Sequence, residues 1–280
     1  MAYRKLHQWQ LYWAAISGMG WDGVKRQQRN ASREEGLPLY AKMDKRLDMD
    51  KLVRSIKFPF VFDKDRLASD AKKIIGAKWT DHYNPGDYSG KWTSIALMSN
   101  GGKSDNITAF SSSTEEFMPT DALSHCPYFK EILDGLLFYK TSVRLLNLGS
   151  GAIVKPHTDH CLGYEDGVFR LHIPIITNPH VEFILDGERI FMAEGECWYF
   201  NANFLHSVKN GGAADRIHLV IDGIRNDWSD VLFLKHATEE GFIKPPAFLD
   251  AEQKKLMIAE LEKMDLPAAK ELVANLRKPD

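Results

Sequence analysis

Between residues 141 and 222 the chain alternates short apolar segments with turn signals, and this rhythm limits the folds open to it. The segments fall at 141–148, 152–156, 168–176, 181–185, 189–192, 196–200, 204–209 and 216–222, with Gly or Asn-Gly punctuation between them. Many short strands at this spacing argue for an antiparallel sandwich or barrel and against βαβ units. Eight such segments fit a double-sheet jelly roll, so the predicted fold is mainly β with flanking helices.

The remaining chain supplies those helices. Leu6, Trp9, Trp13 and Ile16 mark one face of a short helix over residues 3–17, read either as docking on the main domain or as a membrane-surface or partner-binding helix. Residues 22–36 are charged, lack apolar periodicity and read as a linker. Phe58–Phe62 and Trp92–Met98 read as strands, Lys64–Ile75 and Phe129–Leu137 as amphipathic helices, and 103–120 as a surface loop. Past Asp227 the pattern is helical again, with a capping-box signal at Asp250 and Gln253 and a break at Leu266-Pro267. The expected organisation is a helical extension and linker over 1–50, a jelly-roll domain over 51–228 and a helical segment over 229–280.

Composition narrows the partners. A net charge of −2 and a pI near 6.6 give no sign of a nucleic-acid or anionic-membrane partner. No apolar run is long enough to span a bilayer, and no signal peptide is apparent. Three cysteines without a CxxC spacing fit a reducing compartment, so a cytoplasmic location is expected.

Chemistry concentrates between Arg144 and Asp222. His157-Thr158-Asp159 followed by a distal His206 is the sequence form of a two-histidine, one-carboxylate triad, which holds Fe(II) and leaves positions open. On a strand, His157 and Asp159 would share one face. Arg170-Leu171-His172 and Arg216-Ile217-His218 repeat one pattern, with Arg and His on the same face of two strand-like segments. An inward guanidinium is costly without an anion, and a dicarboxylate would provide one; the alternative is that either Arg faces solvent and pairs with surface acids. Asn210-Gly211-Gly212 would fold the His206 and Arg216 segments into a hairpin.

These residues carry a resemblance. Arg144 thirteen residues before His157, Pro156-His157-Thr158-Asp159, Arg170-Leu171-His172, His206-Ser207 and Arg216 to Asp222 are similar to the aspartyl/asparaginyl β-hydroxylase family of Fe(II)/2-oxoglutarate dioxygenases. Within it, the bacterial L-proline cis-4-hydroxylases look nearest. The resemblance implies a double-stranded β-helix core, with His157, Asp159 and His206 as iron ligands and Arg216 as the main 2-oxoglutarate partner. His172, Arg170 and His218 would line the cosubstrate site. Arg144, Asp222 and Trp92 fall on the substrate side, and Arg144 is read either as an anchor for a substrate carboxylate or as part of a structural salt bridge. Asp159 stands where the family's animal peptidyl hydroxylases have Gly, and where a halogenase would have a small residue.

The expected activity is hydroxylation of an unactivated C–H in a small molecule, a free amino acid or related carboxylate, with O2 consumed and succinate and CO2 released. Ascorbate would keep the iron reduced, and a homodimer is admitted. Two rivals stay open: a peptidyl aspartyl/asparaginyl β-hydroxylase, and a cupin-like metal-binding protein without turnover.

Overall fold

The computed structural model describes residues 51–108, 116–159 and 161–243, with positions 255, 258, 262, 273, 274 and 277 beyond them. The helix expected over 3–17, the linker at 22–36 and the capping box at Asp250 lie outside the described residues. In chain order the elements are β1 (Ser55–Val61), α1 (Lys64–Ile74), β2 (Thr80–Asp81), β3 (Tyr88–Ser89), β4 (Trp92–Asn100), β5 (Phe117–Pro119), α2 (Asp121–Ser124) and α3 (Pro127–Gly135). There follow β6 (Lys140–Leu148), β7 (Ile153–His157), β8 (Val168–Ile176), β9 (Val181–Leu185), β10 (Glu188–Ile190), β11 (Glu196–Phe200), β12 (His206–Asn210), β13 (Arg216–Ile224) and α4 (Asp227–Phe233). No helix among the described residues is long and apolar enough to cross a membrane.

The strands form two antiparallel sheets, in the orders β1-β11-β8-β13-β6-β4-β2 and β10-β9-β12-β7-β3, with β5 added to β4. In the large sheet, Leu219 lies beside Leu145 on β6 and Ile173 on β8, and Ile221 beside Val143 and Leu171. Side chains alternate across a pleated strand, so this row of odd-numbered residues defines one face. Ile95, Leu145, Leu171, Ile173, Ile217, Leu219 and Ile221 form a core with Leu67, Ala71 and Ile74 of α1 and Phe129, Ile132 and Leu133 of α3. The other face, with Arg144, Arg170, His172, Arg216, His218 and Asp222, meets the small sheet. Leu148 and Trp92 pack there against Val154, Val208 and Tyr88, and Phe200 lies 4.8 Å from Phe183. This is the double-sheet jelly roll predicted from the spacing.

Local chemistry locks the helices onto the outer face. Asp63 caps α1 by accepting the Asp65 and Arg66 N–H groups at 3.0 Å. Buried Asp70, on α1, accepts the Tyr128 and Phe129 N–H groups at 2.7 and 3.0 Å, so one helix caps the start of the next. Pro127 at the first position of α3 gives up no hydrogen bond there.

Three expectations meet a different outcome. His206 and Arg216 belong to different sheets, so the turn after β12 is a corner between layers and not a hairpin. Asn210 holds that corner, its amide donating to Leu148, Gly149 and Ala214 carbonyls at 2.8–3.2 Å. Asp159 lies past the end of β7, its backbone N–H donating to Ala202 O at 2.8 Å rather than to a neighbouring strand. Phe117–Pro119, within the segment read as loop, pairs with β4. The compact unit that holds both sheets spans Lys51–Lys244.

Candidate metal and anion site

The strand pairing of β7 with β12 places His157 opposite His206, with ring centroids 4.3 Å apart. The loop after β7 then returns Asp159 to them. One donor atom from each of the three lies within 4.8 Å of the others, and the Asp159 oxygen facing His157 Nε2 is Oδ1, at 3.9 Å. Each imidazole Nδ1 faces a carbonyl oxygen two residues earlier, Lys155 O at 2.8 Å for His157 and Phe204 O at 2.9 Å for His206. A carbonyl only accepts, so Nδ1 carries the proton and Nε2 keeps its lone pair for the cluster. Burial, with His157 beside it, lowers the His206 pKa to about 4, which keeps that ring neutral and fit to ligate at physiological pH. Burial works against charge on Asp159, but the Arg170 guanidinium and the two imidazoles hold it below the usual carboxylate range. Two neutral imidazoles and one carboxylate suit a divalent first-row metal.

Beside this cluster runs a chain of alternating charges. Asp222 Oδ2 accepts Arg144 Nη2 at 2.7 Å, and Arg170 grips the same carboxylate through Nε at 2.5 Å and Nη2 at 3.3 Å. The remaining Arg170 nitrogen, Nη1, reaches Asp159 Oδ2 at 3.0 Å. Arg144 Nη1 donates to Ile107 O at 3.2 Å. Register explains the assembly: Arg170 pairs with Asp222 across β8 and β13, and Ser142 pairs with Asp222 on the other side, bringing Arg144 within reach. Burial disfavours the Arg170 charge, yet Asp222 and Asp159 outweigh it and raise its pKa. Of the two readings of Arg144, the salt bridge is the contact present, and Asp222 offers both oxygens to guanidinium groups.

Farther along β13, Arg216 and His218 stand on the same inner face as Asp222. Arg216 is only 6% exposed and has no ion pair among the described residues. Its Nε, both ring nitrogens of His172 and Nδ1 of His218 have no hydrogen-bond partner. Burial alone, with no carboxylate to offset it, lowers the Arg216 pKa to about 9. Arg216 and His218 form the polar wall of a small pocket otherwise lined by residues such as Val181, Phe183, Ile190 and Met192. His172 links this region to the histidine pair: burial, then Arg216, and also His206 push its pKa well below the ordinary value. A buried cation among unpaired donors is a socket for an anion. Arg170 takes no part in it, being committed to Asp159 and Asp222.

Trp92 begins β4 and stacks on His82, with centroids 3.6 Å apart and planes 10° from parallel. The Tyr83 ring centroid lies 4.3 Å from that of His82, and Tyr88 meets Trp92 edge-on at 5.5 Å. His82 is near the cluster, since burial and then Arg144 depress its pKa to about 3 while Asp159 opposes them. Sequence reasoning did not single out His82 and Tyr83; the signal available was the density of Trp79, His82, Tyr83, Tyr88 and Trp92 in fourteen residues.

Fold and site together define a double-sheet jelly roll with a His-Asp-His donor set between its sheets and a buried, unpaired arginine deeper inside. Residues 63–226 match the model of the aspartyl/asparaginyl β-hydroxylase family, and the chain belongs to that family. An L-proline cis-3-hydroxylase from Streptomyces is 28% identical over 166 residues, which cover 57% of this chain and 56% of the relative. A second Streptomyces L-proline cis-3-hydroxylase is 27% identical over 164 residues. The chain thus spans about half the length of the curated relatives it matches, and both are cis-3 enzymes where the motifs had pointed to the cis-4 branch. Among solved structures, a 2OG-Fe(II) oxygenase-family oxidoreductase from Burkholderia pseudomallei is 13% identical with a TM-score of 0.43, covering 69% of this chain and 94% of that one.

Proposed function

We propose that this protein is an Fe(II)/2-oxoglutarate-dependent hydroxylase of a small carboxylate-bearing molecule, most simply a free amino acid. The observation that carries the reading is the pairing of a His-Asp-His set, both imidazoles presenting Nε2, with a buried arginine that has no counter-ion among the described residues. The donor set suits Fe(II), and the unpaired Arg216, His172 and His218 nitrogens suit a dicarboxylate, so these residues fit both groups. Iron and 2-oxoglutarate, with O2, supply the oxidising power, one oxygen atom going to the substrate C–H and the other to succinate as CO2 leaves.

The chain's own part is binding, orientation and charge balance. His157, Asp159 and His206 would hold the metal on one side. Arg216 would take the far carboxylate of 2-oxoglutarate bidentately, with His172 and His218 beside it. Arg144 pairs with Asp222 through Nη2 while its Nε stays unpartnered among the described residues, and that donor would favour a substrate with a carboxylate. Trp92, held by His82, would form an apolar wall for the rest of that substrate. The buried thiols of Cys126 and Cys197 fit a reducing, cytoplasmic setting.

Incubation with Fe(II), ascorbate and 2-oxoglutarate against a panel of free L-amino acids tests the proposal. Substrate-dependent succinate, with a matching hydroxylated product, is expected from at least one of them. No succinate above background with any member would overturn the small-molecule reading, and turnover of Asp- or Asn-containing peptides alone would move the activity to the peptidyl branch.

A further inference from the structure

The ion-pair chain beside the donor cluster ends on one particular atom. Arg170 spends its Nε and Nη2 edge on Asp222 and has only Nη1 left for Asp159 Oδ2, at 3.0 Å. Asp159 Oδ1 is the oxygen left facing His157 Nε2. Asp222 is 3% exposed, and both its oxygens accept from guanidinium groups, so it has no free edge to offer a substrate. From this we infer that Asp222 is a positioning residue: acting through Arg170, it fixes the Asp159 carboxylate as a one-oxygen metal ligand.

The reasoning is one of shared charge. Two guanidinium groups meet on one carboxylate, Arg144 through Nη2 and Arg170 through Nε and Nη2, and Asp222 is the anion between them. While Asp222 is charged, Arg170 is held bidentately and gives Asp159 a single hydrogen bond, enough to turn one oxygen away from the metal position without competing for the other. With that charge removed, Asp159 is the one carboxylate left to Arg170. The guanidinium fork is then free to close on both Asp159 oxygens, and the metal loses a properly aimed ligand.

This inference rests on the metal-site reading above, and Co(II) binding separates the two. Wild-type protein should bind Co(II) with visible d–d bands, and His206→Ala should abolish them; absence of either result is a failure of the site itself. Asp222→Asn should weaken Co(II) binding by roughly 10- to 100-fold, the range for residues that orient a ligand, and shift the d–d bands. In an Arg170→Gln background the same substitution should change Co(II) affinity less than about twofold, because the arm through which Asp222 acts is gone. An equal loss in both backgrounds, or unchanged affinity in Asp222→Asn, would overturn the inference while leaving the metal site intact. Arg170→Lys serves if Asp222→Asn does not fold: its ammonium lacks the fork that grips Asp222 and reaches Asp159 together, so the same weakening is expected and full affinity would refute the role.

Discussion

Replacing Arg216 by Met should push stability and cosubstrate binding in opposite directions. In the ligand-free protein the guanidinium is buried with its Nε unpartnered and its pKa drawn from 12.5 down to about 9. At about 1.4 kcal/mol for each pKa unit, holding that charge costs the empty fold several kcal/mol. Methionine fills much of the same volume without charge, and exchanging buried charge for packed apolar atoms commonly gains about 1–4 kcal/mol. For a unit of this size 1 kcal/mol moves Tm by about 2–4 °C, so the ligand-free variant should melt at least about 2 °C higher than wild type. The 2-oxoglutarate carboxylate would meanwhile lose its partner, a loss of about 2–5 kcal/mol, or at least roughly 30-fold in Kd. Thermal melts with Co(II), with and without 2-oxoglutarate, read both effects. Wild type should gain about 2.7 kcal/mol of stability at a hundredfold excess over Kd, and the variant should gain less than about 0.9 kcal/mol at the same concentration. A ligand-free variant that melts lower than wild type and keeps the full 2-oxoglutarate shift would mean that Arg216 already has its counter-ion within the fold.

Acid should destabilise the metal-free protein. His206 is held near 4 and His172 and His218 well below 6.5, all chiefly by burial, whereas the unfolded chain takes up protons near 6.5. The unfolded state therefore binds more protons below pH 6.5, and stability should fall from there toward pH 4 by up to about 1.4 kcal/mol per pH unit for each histidine; flat urea midpoints between pH 7 and 5 would contradict this. Asp70→Ala removes the acceptor of two backbone N–H groups at the start of α3 and should cost roughly 2 kcal/mol, seen as a lower urea midpoint without a change in Co(II) affinity. Gly195→Ala should cost more than about 1 kcal/mol, since φ is +80° there and a Cβ would meet Phe62 O at 2.5 Å; an unchanged melting temperature would show that the backbone can move aside.

Much of the sheet was legible because alternation is a local property. The segment read at 168–176 is β8 to the residue, and 216–222 lies inside β13. The eight segments between 141 and 222 all became strands for the same reason. Which strands become neighbours is not local. Arg170 and Asp222 meet because β8 lies beside β13, and no spacing within either segment announces it. The corner after Asn210 looked like a hairpin because Asn-Gly-Gly favours a turn whether the chain returns to its own sheet or crosses to the other. Asp159 shared a face with His157 only on the assumption that β7 continued, whereas its pairing with β12 ends at His157. Nothing within the Lys64–Ile75 pattern marks Asp70 as the acceptor on which α3 begins.

The even face of the large sheet carries Arg144, Arg170, Arg216, Asp222, His172 and His218, and the odd face carries the core beneath the helices. One row of backbone therefore specifies two things at once, and neither can drift without the other. An inserted or deleted residue inside β8 or β13 would turn Arg170 or Arg216 toward α1 and α3 and present Leu171 or Ile217 to the anion socket. Register therefore leaves room for changes of length at the corners, such as 211–215 and 186–187, and in the segments around His82 and Ile107 that border the cluster. Descendants of this chain can thus acquire new substrates by reshaping that border while inheriting the charged row unchanged, since any slip that spoiled the chemistry would first spoil the fold.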